Sequence, residues 1–237
     1  ATSHLFNFSE KFIREYLPFT IELGRSFISR EYQRIQAGTK ALFALDNLWD
    51  GLGALMMLRP GMKWYFGKMT MYPTFNRYGR DLILHFLHKH FHDDEHLVTT
   101  KNPVVIETPA EEIDAVLTET DFKSDYRILN REIRALGENI PPLVNTYMGI
   151  SPSLKVFGTA VNDEFGNVEE TGILVDFNDI YEEKRARHID SFIKEQIARI
   201  KLRWPHTFER FEGEIAQKIS NRRDERFRRI FNWRSKD

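Results

Sequence analysis

The chain has 237 residues, 34 Lys and Arg against 35 Asp and Glu for a formal net charge of −1, 41% hydrophobic residues, 19 Phe and no Cys. This much apolar material excludes wholesale disorder, and the length fits one large domain or one domain with an appendage. The missing Cys excludes disulfides, thiolate metal sites, iron–sulfur clusters and an acyl-cysteine intermediate, and it fits a reducing compartment.

Residues 8–16 (FSEKFIREY) read as a short amphipathic helix with Ser9 as N-cap, stopped before Pro18. Residues 19–29 (FTIELGRSFIS), rich in β-branched and aromatic side chains, read as a strand. A long apolar helix is expected over 39–58, ended by Arg59-Pro60-Gly61. Its richest run, 41–58, is interrupted by charges and so falls short of the roughly 18 apolar residues that cross a bilayer. A buried strand follows over 62–72, then helices over 76–91, 110–117 and 124–136. Pro141-Pro142 separates these from a strand pair over 154–162 and 170–177. The intervening Asp163-Glu164-Phe165-Gly166-Asn167 carries hairpin-turn residues. From Ile180 onward the chain reads as helical, interrupted at Trp204-Pro205. Strands alternating with helices and closing on a hairpin predict an α/β fold, a mixed sheet flanked by helices. No signal peptide is visible in ATSHLFNFSEKF, and without an initiator Met the chain is expected to start inside a longer gene product.

Charge divides the chain more sharply than its total indicates. Residues 184–237 hold 16 Lys and Arg against 8 Asp and Glu, a surplus of +8, so residues 1–183 carry −9. We therefore expect an acidic body over 1–183 and a basic helical extension over 184–237. A basic helix attracts acidic proteins, anionic lipid or nucleic acid, and charge alone does not choose among them.

Five of the eight His lie between His85 and His96. His88 and His92 have the i, i+4 spacing of a zinc-protease helix, but Lys89 stands where that motif needs Glu, so a helix end with several solvated His is expected. His88 and Asp93 also match the HxxxxD pattern of glycerolipid acyltransferases, in which His is the base and Asp orients it. Without that family's downstream phosphate-binding motif, the match reads as coincidence. Gly24-Arg25-Ser26-Phe27-Ile28 falls short of a nucleophile elbow because Ile28 replaces the second Gly. Glu22 and Arg25 carry opposite charges within an apolar strand, an expensive arrangement unless they are paired or functional. An ion pair that anchors loops and a general base at Glu22 explain them equally well.

Taken together, ELGRSFI, LDNLWDGLGAL, WYFGKMTMYP, PPLVNTYM and VFGTAVNDEFG, in this order, resemble the acyl-carrier-protein-dependent amino-acid N-acyltransferases. This is a GNAT-type group that includes ornithine and glycine N-acyltransferases. It is similar to acyl-homoserine-lactone synthases, and some members carry an old hemolysin label. The resemblance runs from about residue 2 to 193 and is nearest to the glycine-acylating branch. It implies a GNAT fold in which residues 20–29 form the central strand that pairs with the pantetheine arm of the acyl donor. It implies Glu22 as a base for the amine, with its pKa raised by burial, and Arg25 as its basic partner. Backbone N–H groups near Phe27 and Ile28, beside Ser26, would polarise the thioester carbonyl. Donor phosphate would sit at Gln33, Arg34 and Gly38 and at the helix N-terminus beginning near Thr39. The family's Q/R-x-x-G-x-G/A phosphate loop is met here with only one Gly, which puts coenzyme A in question as donor rather than activity. Several family elements that precede ELGRS are missing, so the chain looks N-terminally truncated.

The resemblance further implies transfer of a long-chain, 3-hydroxy or plain, acyl group from acyl carrier protein to a small amino acid such as glycine or ornithine. The product would be an N-acyl amino acid lipid, made in the cytoplasm without any cofactor beyond the acyl donor, metal or nucleic acid. The basic extension would dock the acidic carrier protein or touch a membrane surface, and an exposed sheet edge would invite a homodimer. Two rival readings stand beside it. One is a non-catalytic lipid- or protein-binding module, and the other is a glycerolipid O-acyltransferase using His88 and Asp93. Phe43, Leu48, Trp49 and Phe66 could wall an acyl pocket but read better as core.

Overall fold

In the computed structural model, which describes residues 2–24, 50–53, 55, 59, 61–187, 198–199 and 202–203, the first predicted helix is split. A 3-10 turn at Thr2–His4 leads into a strand, β1 (Phe6–Phe8), and the helical turns begin only at residue 10, with a π-helical turn over Phe12–Tyr16. A three-residue strand has little local signature; β1 exists because it pairs antiparallel with a distant partner at Val98–Thr100. After a 3-10 turn over Leu17–Phe19, β2 spans only Thr20–Glu22, and the remainder of the strand expected over 19–29, residues 25–29, lies outside the described residues. Most of the helix expected over 39–58 and of the extension over 184–237 also lies outside the described residues.

Two compact units divide the chain: Ala1–Phe27 with Gly61–Tyr181, and Ile28–Pro60 with Glu182–Asp237. In the first, β3 (Trp64–Met71) is followed by α1 (Arg77–Phe91), whose N-cap Asn76 accepts a hydrogen bond from the Gly79 N–H at 3.0 Å. Then come β4 (Val98–Thr100), α2 (Ala110–Val116) and α3 (Phe122–Ala135), the last capped by Asp121. Helix α4 (Pro142–Met148) arises where only a break is expected from Pro141-Pro142. Pro is tolerated in a first helical turn because the N–H groups there lack intrahelical partners. The hairpin follows as β5 (Lys155–Asn162) and β6 (Val168–Asp176), joined through Gly166 and Asn167 with φ of 67° and 54°. Of the second unit, residues 50–53 and 55 are helical, and a short helix, α5, spans Glu182–Arg185.

The main sheet has the order β2-β3-β6-β5, with β2 parallel to β3 and the other pairs antiparallel. Facing residues in a ladder share a side of the sheet. One side therefore carries Tyr65, Met69, Met71, Ile173 and Val175, the side where Glu169 meets α1 and where Tyr147 of α4 lies over Gly67. Burial pushes the Tyr147 phenol up to about 12, so it stays neutral. The other side is an aromatic core. Phe66 meets Phe6, Phe8 and Phe12 edge-on at 5.6–6.3 Å and stacks on Phe157 at 5.9 Å, with Leu97, Val98, Ala160 and Leu174 closing the cluster. Helix α1 buries Leu82, Ile83, Phe86 and Leu87, and Gly79 lets α3 come close, since a Cβ there would lie 3.2 Å from Ile133 Cδ1.

Adjacent carboxylates on β6, Glu169 and Glu170, are both buried and point to opposite sides. Glu169 is met by Arg80 of α1, 3% exposed, through Nη1 at 2.9 Å, and by Arg77 at 3.0 Å. Arg80 also donates from Nε to Asp81 Oδ1 at 2.8 Å and from Nη2 to the Val105 carbonyl at 3.1 Å. Asp81 in turn accepts from the Glu107 and Thr108 N–H groups at 3.0 and 2.9 Å, which ties the 105–108 segment to α1. Burial alone would lower the pKa of Arg80, but Glu169 and Asp81 more than reverse this and hold the guanidinium firmly charged.

Two predictions follow from these contacts. Arg80→Met, which strands two buried carboxylates, is expected to cost about 3–5 kcal/mol in urea unfolding. Arg77→Met, at a side chain 55% exposed on the rim of the same network, is expected to cost under about 1 kcal/mol. The second concerns Glu95, which accepts from Lys11, from Lys155 at 3.2 Å and from Tyr16 at 3.1 Å, clasping residues 11–16 to the start of β5. The Lys11 hydrogen bond, and with it Lys155 and Tyr16, outweighs partial burial and holds the Glu95 carboxyl down to about 2, against an ordinary value of 4.5. A depressed carboxylate stabilises the fold above its unfolded pKa and loses that contribution as pH falls through the folded one. The Tm difference between wild type and Glu95→Gln should therefore be full above about pH 4.5 and fade toward pH 2. A difference independent of pH would show that the clasp is not electrostatic.

Candidate active site

The aromatic side of the sheet carries a row of polar groups. Glu22 ends β2 and faces Phe66 in the ladder, so it points to the aromatic side. Lys68, two residues beyond Phe66 on β3, points the same way, as do Glu170 of β6 and Asn162 of β5. Lys68 Nζ lies 2.9 Å from Glu170 Oε2, and Asn162 Nδ2 donates to the same oxygen at 3.0 Å. Above the row runs the Thr2–His4 turn: Thr2 Oγ1 donates to Glu22 Oε1, and His4 Nε2 lies 3.4 Å from Asn162 Oδ1. Four strands and one turn thus converge on a line of Glu22, Lys68, Glu170 and Asn162, set into an apolar wall.

Such a row can bind a zwitterion. Glu22 is exposed at the sheet edge and can accept a proton or a hydrogen bond, while the ammonium of Lys68, whose side chain is 19% exposed, can donate to an anion. The burial expected for Glu22 is not found among the described residues, because β2 there pairs only with β3 and the Glu ends the strand. Arg25, Ser26, Phe27, Ile28, Gln33, Arg34, Gly38 and Thr39 lie outside the described residues, as do Phe43, Leu48 and Trp49. Phe66 is core, as read from the sequence. Lys68 and Glu170 escaped sequence reasoning; the available signal was a Lys in the otherwise apolar WYFGKMTM run and a Glu pair opening a strand.

The His-rich segment holds the several solvated side chains expected, His88, His92 and His96, but not all five are solvated. His90 is largely buried and pairs with fully buried Asp125 at 2.7 Å, because α3 brings that Asp against α1. His85 pairs with Asp114 at 2.8 Å and His92 with Asp94 at 2.7 Å. His88 and Asp93 line a separate cavity of about 650 Å³ with Leu84, Leu87, Phe157 and Gly158. No hydrogen bond or ion pair joins His88 and Asp93 among the described residues. Asp93 accepts from the Leu97 and Glu95 N–H groups instead, which holds the turn after α1. The Asp of the HxxxxD match is therefore engaged in folding this turn, and His88 has no orienting carboxylate there.

Comparison with known proteins bears on the reaction class. Over 202 residues, 85% of this chain, it is 57% identical to the glycine N(alpha)-acyltransferase of Phocaeicola vulgatus. It is 59% identical, again over 202 residues, to the glycine N(alpha)-acyltransferase of Bacteroides thetaiotaomicron. These matches cover 62% and 60% of the two relatives, so the chain spans about three fifths of their length. No protein-family model and no solved structure matches.

Proposed function

Over its 202 matched residues the chain is a homologue of glycine N-acyltransferases, consistent with an amino-acid N-acyltransferase family and a GNAT-like α/β fold, and on that premise we propose that it transfers an acyl group from a thioester donor to the amine of glycine or a similarly small amino acid. The identity to the two glycine N(alpha)-acyltransferases carries this reading. The position of Glu22, exposed on the polar row at the end of β2, supports it as the base. An amino-acid amine is mostly protonated near neutrality, so the reaction needs a proton acceptor. Glu22 takes the ammonium proton, and the freed nitrogen attacks the thioester carbonyl. This attack forms the C–N bond and a tetrahedral intermediate; its collapse breaks the C–S bond, the nitrogen sheds its second proton to the departing thiolate, and Glu22 returns the first to solvent, leaving amide and thiol. No covalent acyl-enzyme is required, in keeping with a chain without Cys.

The donor in this reading is a long-chain, 3-hydroxy or plain, acyl group on acyl carrier protein, and the product is an N-acyl amino acid lipid. Carrier protein is acidic, and the +8 surplus over residues 184–237 is the complementary charge. No helix among the described residues is long and apolar enough to cross a membrane. Contact with anionic lipid, in this reading, draws on the same basic residues by charge.

The test supplies 3-hydroxypalmitoyl carrier protein with glycine or ornithine and reads the lipid product by mass spectrometry. An N-acyl glycine is expected. Glu22→Gln should lower kcat by at least about 100-fold, with stability within about 0.5 kcal/mol because the side chain is exposed. A stable Glu22→Gln variant with full activity would remove Glu22 from the mechanism, and the absence of any N-acyl product would remove the reaction. Reversing charge at Arg222, Arg223 and Arg226 should raise the donor KM, as should added salt. An unchanged donor KM would defeat the docking role of the extension.

A further inference from the structure

We propose that Lys68 binds the α-carboxylate of the amino-acid substrate and so turns the amine toward Glu22; this rests on the N-acylation reading and names the feature by which the site selects its acceptor. Glu22 and Lys68 stand on adjacent parallel strands, two residues out of register, and point to the same side of the sheet. Strand spacing and rise put their Cα atoms about 8 Å apart. An α-amino acid that accepts a hydrogen bond at its carboxylate and donates one from its amine spans about 8–9 Å between the two protein partners. Both side chains are therefore within reach of a single acceptor molecule, Glu22 at its amine and Lys68 at its carboxylate.

The surroundings of Lys68 prepare it for an anion. Among the described residues its ammonium is partnered by Glu170 alone, at 2.9 Å, which leaves two of its three donors for a ligand. Glu170 is itself buried and held by Asn162, whose Oδ1 faces His4. This arrangement fixes the carboxylate on the side of the sheet that carries the cluster of Phe66, Phe6 and Phe157. A buried ion pair by itself adds little net stability over an apolar replacement. A pair of which one member keeps unused donors beside an exposed base has a binding role available to it. Lys68 selects for a free carboxylate one carbon from the amine, which places simple amines and amino-acid amides outside the acceptor class.

The experiment compares glycine with glycinamide as acceptors for the same acyl thioester. Glycinamide has the less basic amine, so more of it is free base at neutral pH and intrinsic reactivity does not favour glycine. Wild type is expected to prefer glycine in kcat/KM by about 10–100-fold, the worth of a charge-assisted hydrogen bond. Lys68→Met should raise the glycine KM by a similar factor and level the two acceptors, with kcat changed much less. Lys68→Arg should restore part of the preference, which a purely structural role would not do. Equal use of both acceptors by wild type overturns the inference with no variant needed, so a poorly folded Lys68→Met does not block the test. A folded Lys68→Met that still prefers glycine overturns it as well. Wild type that acylates neither acceptor defeats the parent reading, an outcome distinct from acylating both alike.

Discussion

Two neighbouring carboxylates on an inner strand constrain the rest of this molecule. Glu169 and Glu170 sit on β6, between β3 and β5, and alternation sends one to each side of the sheet. Both are buried, so each requires a cation or strong donors. Arg80 meets the first and seats α1 together with the 105–108 segment; Lys68 and Asn162 meet the second and form the polar row on the aromatic side. A register slip of one residue would present each Glu to the wrong partners, so the ionic demand and the apolar pattern fix the same alignment.

The two networks differ in what they leave over. Around Arg80 the donors are consumed by Glu169, Asp81 and the Val105 carbonyl, and the result is a closed joint between helix, sheet and loop. Around Lys68 one carboxylate is shared by two donors and the ammonium keeps capacity, within the same sheet side as an exposed Glu22. Chemistry on a polar, charged acceptor favours the second arrangement. It offers fixed charges of both signs in an apolar setting where water competes less, the condition under which such groups discriminate between ligands.

Much of the fold was legible locally. Helix α1 is expected over 76–91 and the β5–β6 hairpin from its turn residues Gly166-Asn167, because local signals such as these are satisfied within a few residues. Strand β1 and the buried His90 were not legible, since a three-residue strand depends on Val98–Thr100 and the burial of His90 depends on Asp125, 35 positions away. The Pro141-Pro142 pair reads equally as a break and as a helix start. Only the packing of Val144, Tyr147 and Met148 decides for α4.

The candidate site divides in the same way. Glu22 could be singled out from the chain because it is a charge within the apolar run FTIELG, although the structure leaves it exposed rather than buried. The α/β class, the acidic body and the basic extension also follow from order and composition alone. What only the tertiary structure decided is which charges stand together. Lys68 and Glu170 are 102 residues apart in sequence and meet across a ladder, and Glu22 joins their side of the sheet through a parallel pairing with β3. A sequence states that a charged side chain must find a partner, because burial without one is unaffordable. The partner's identity is a matter of strand register, and register is set by the whole sheet.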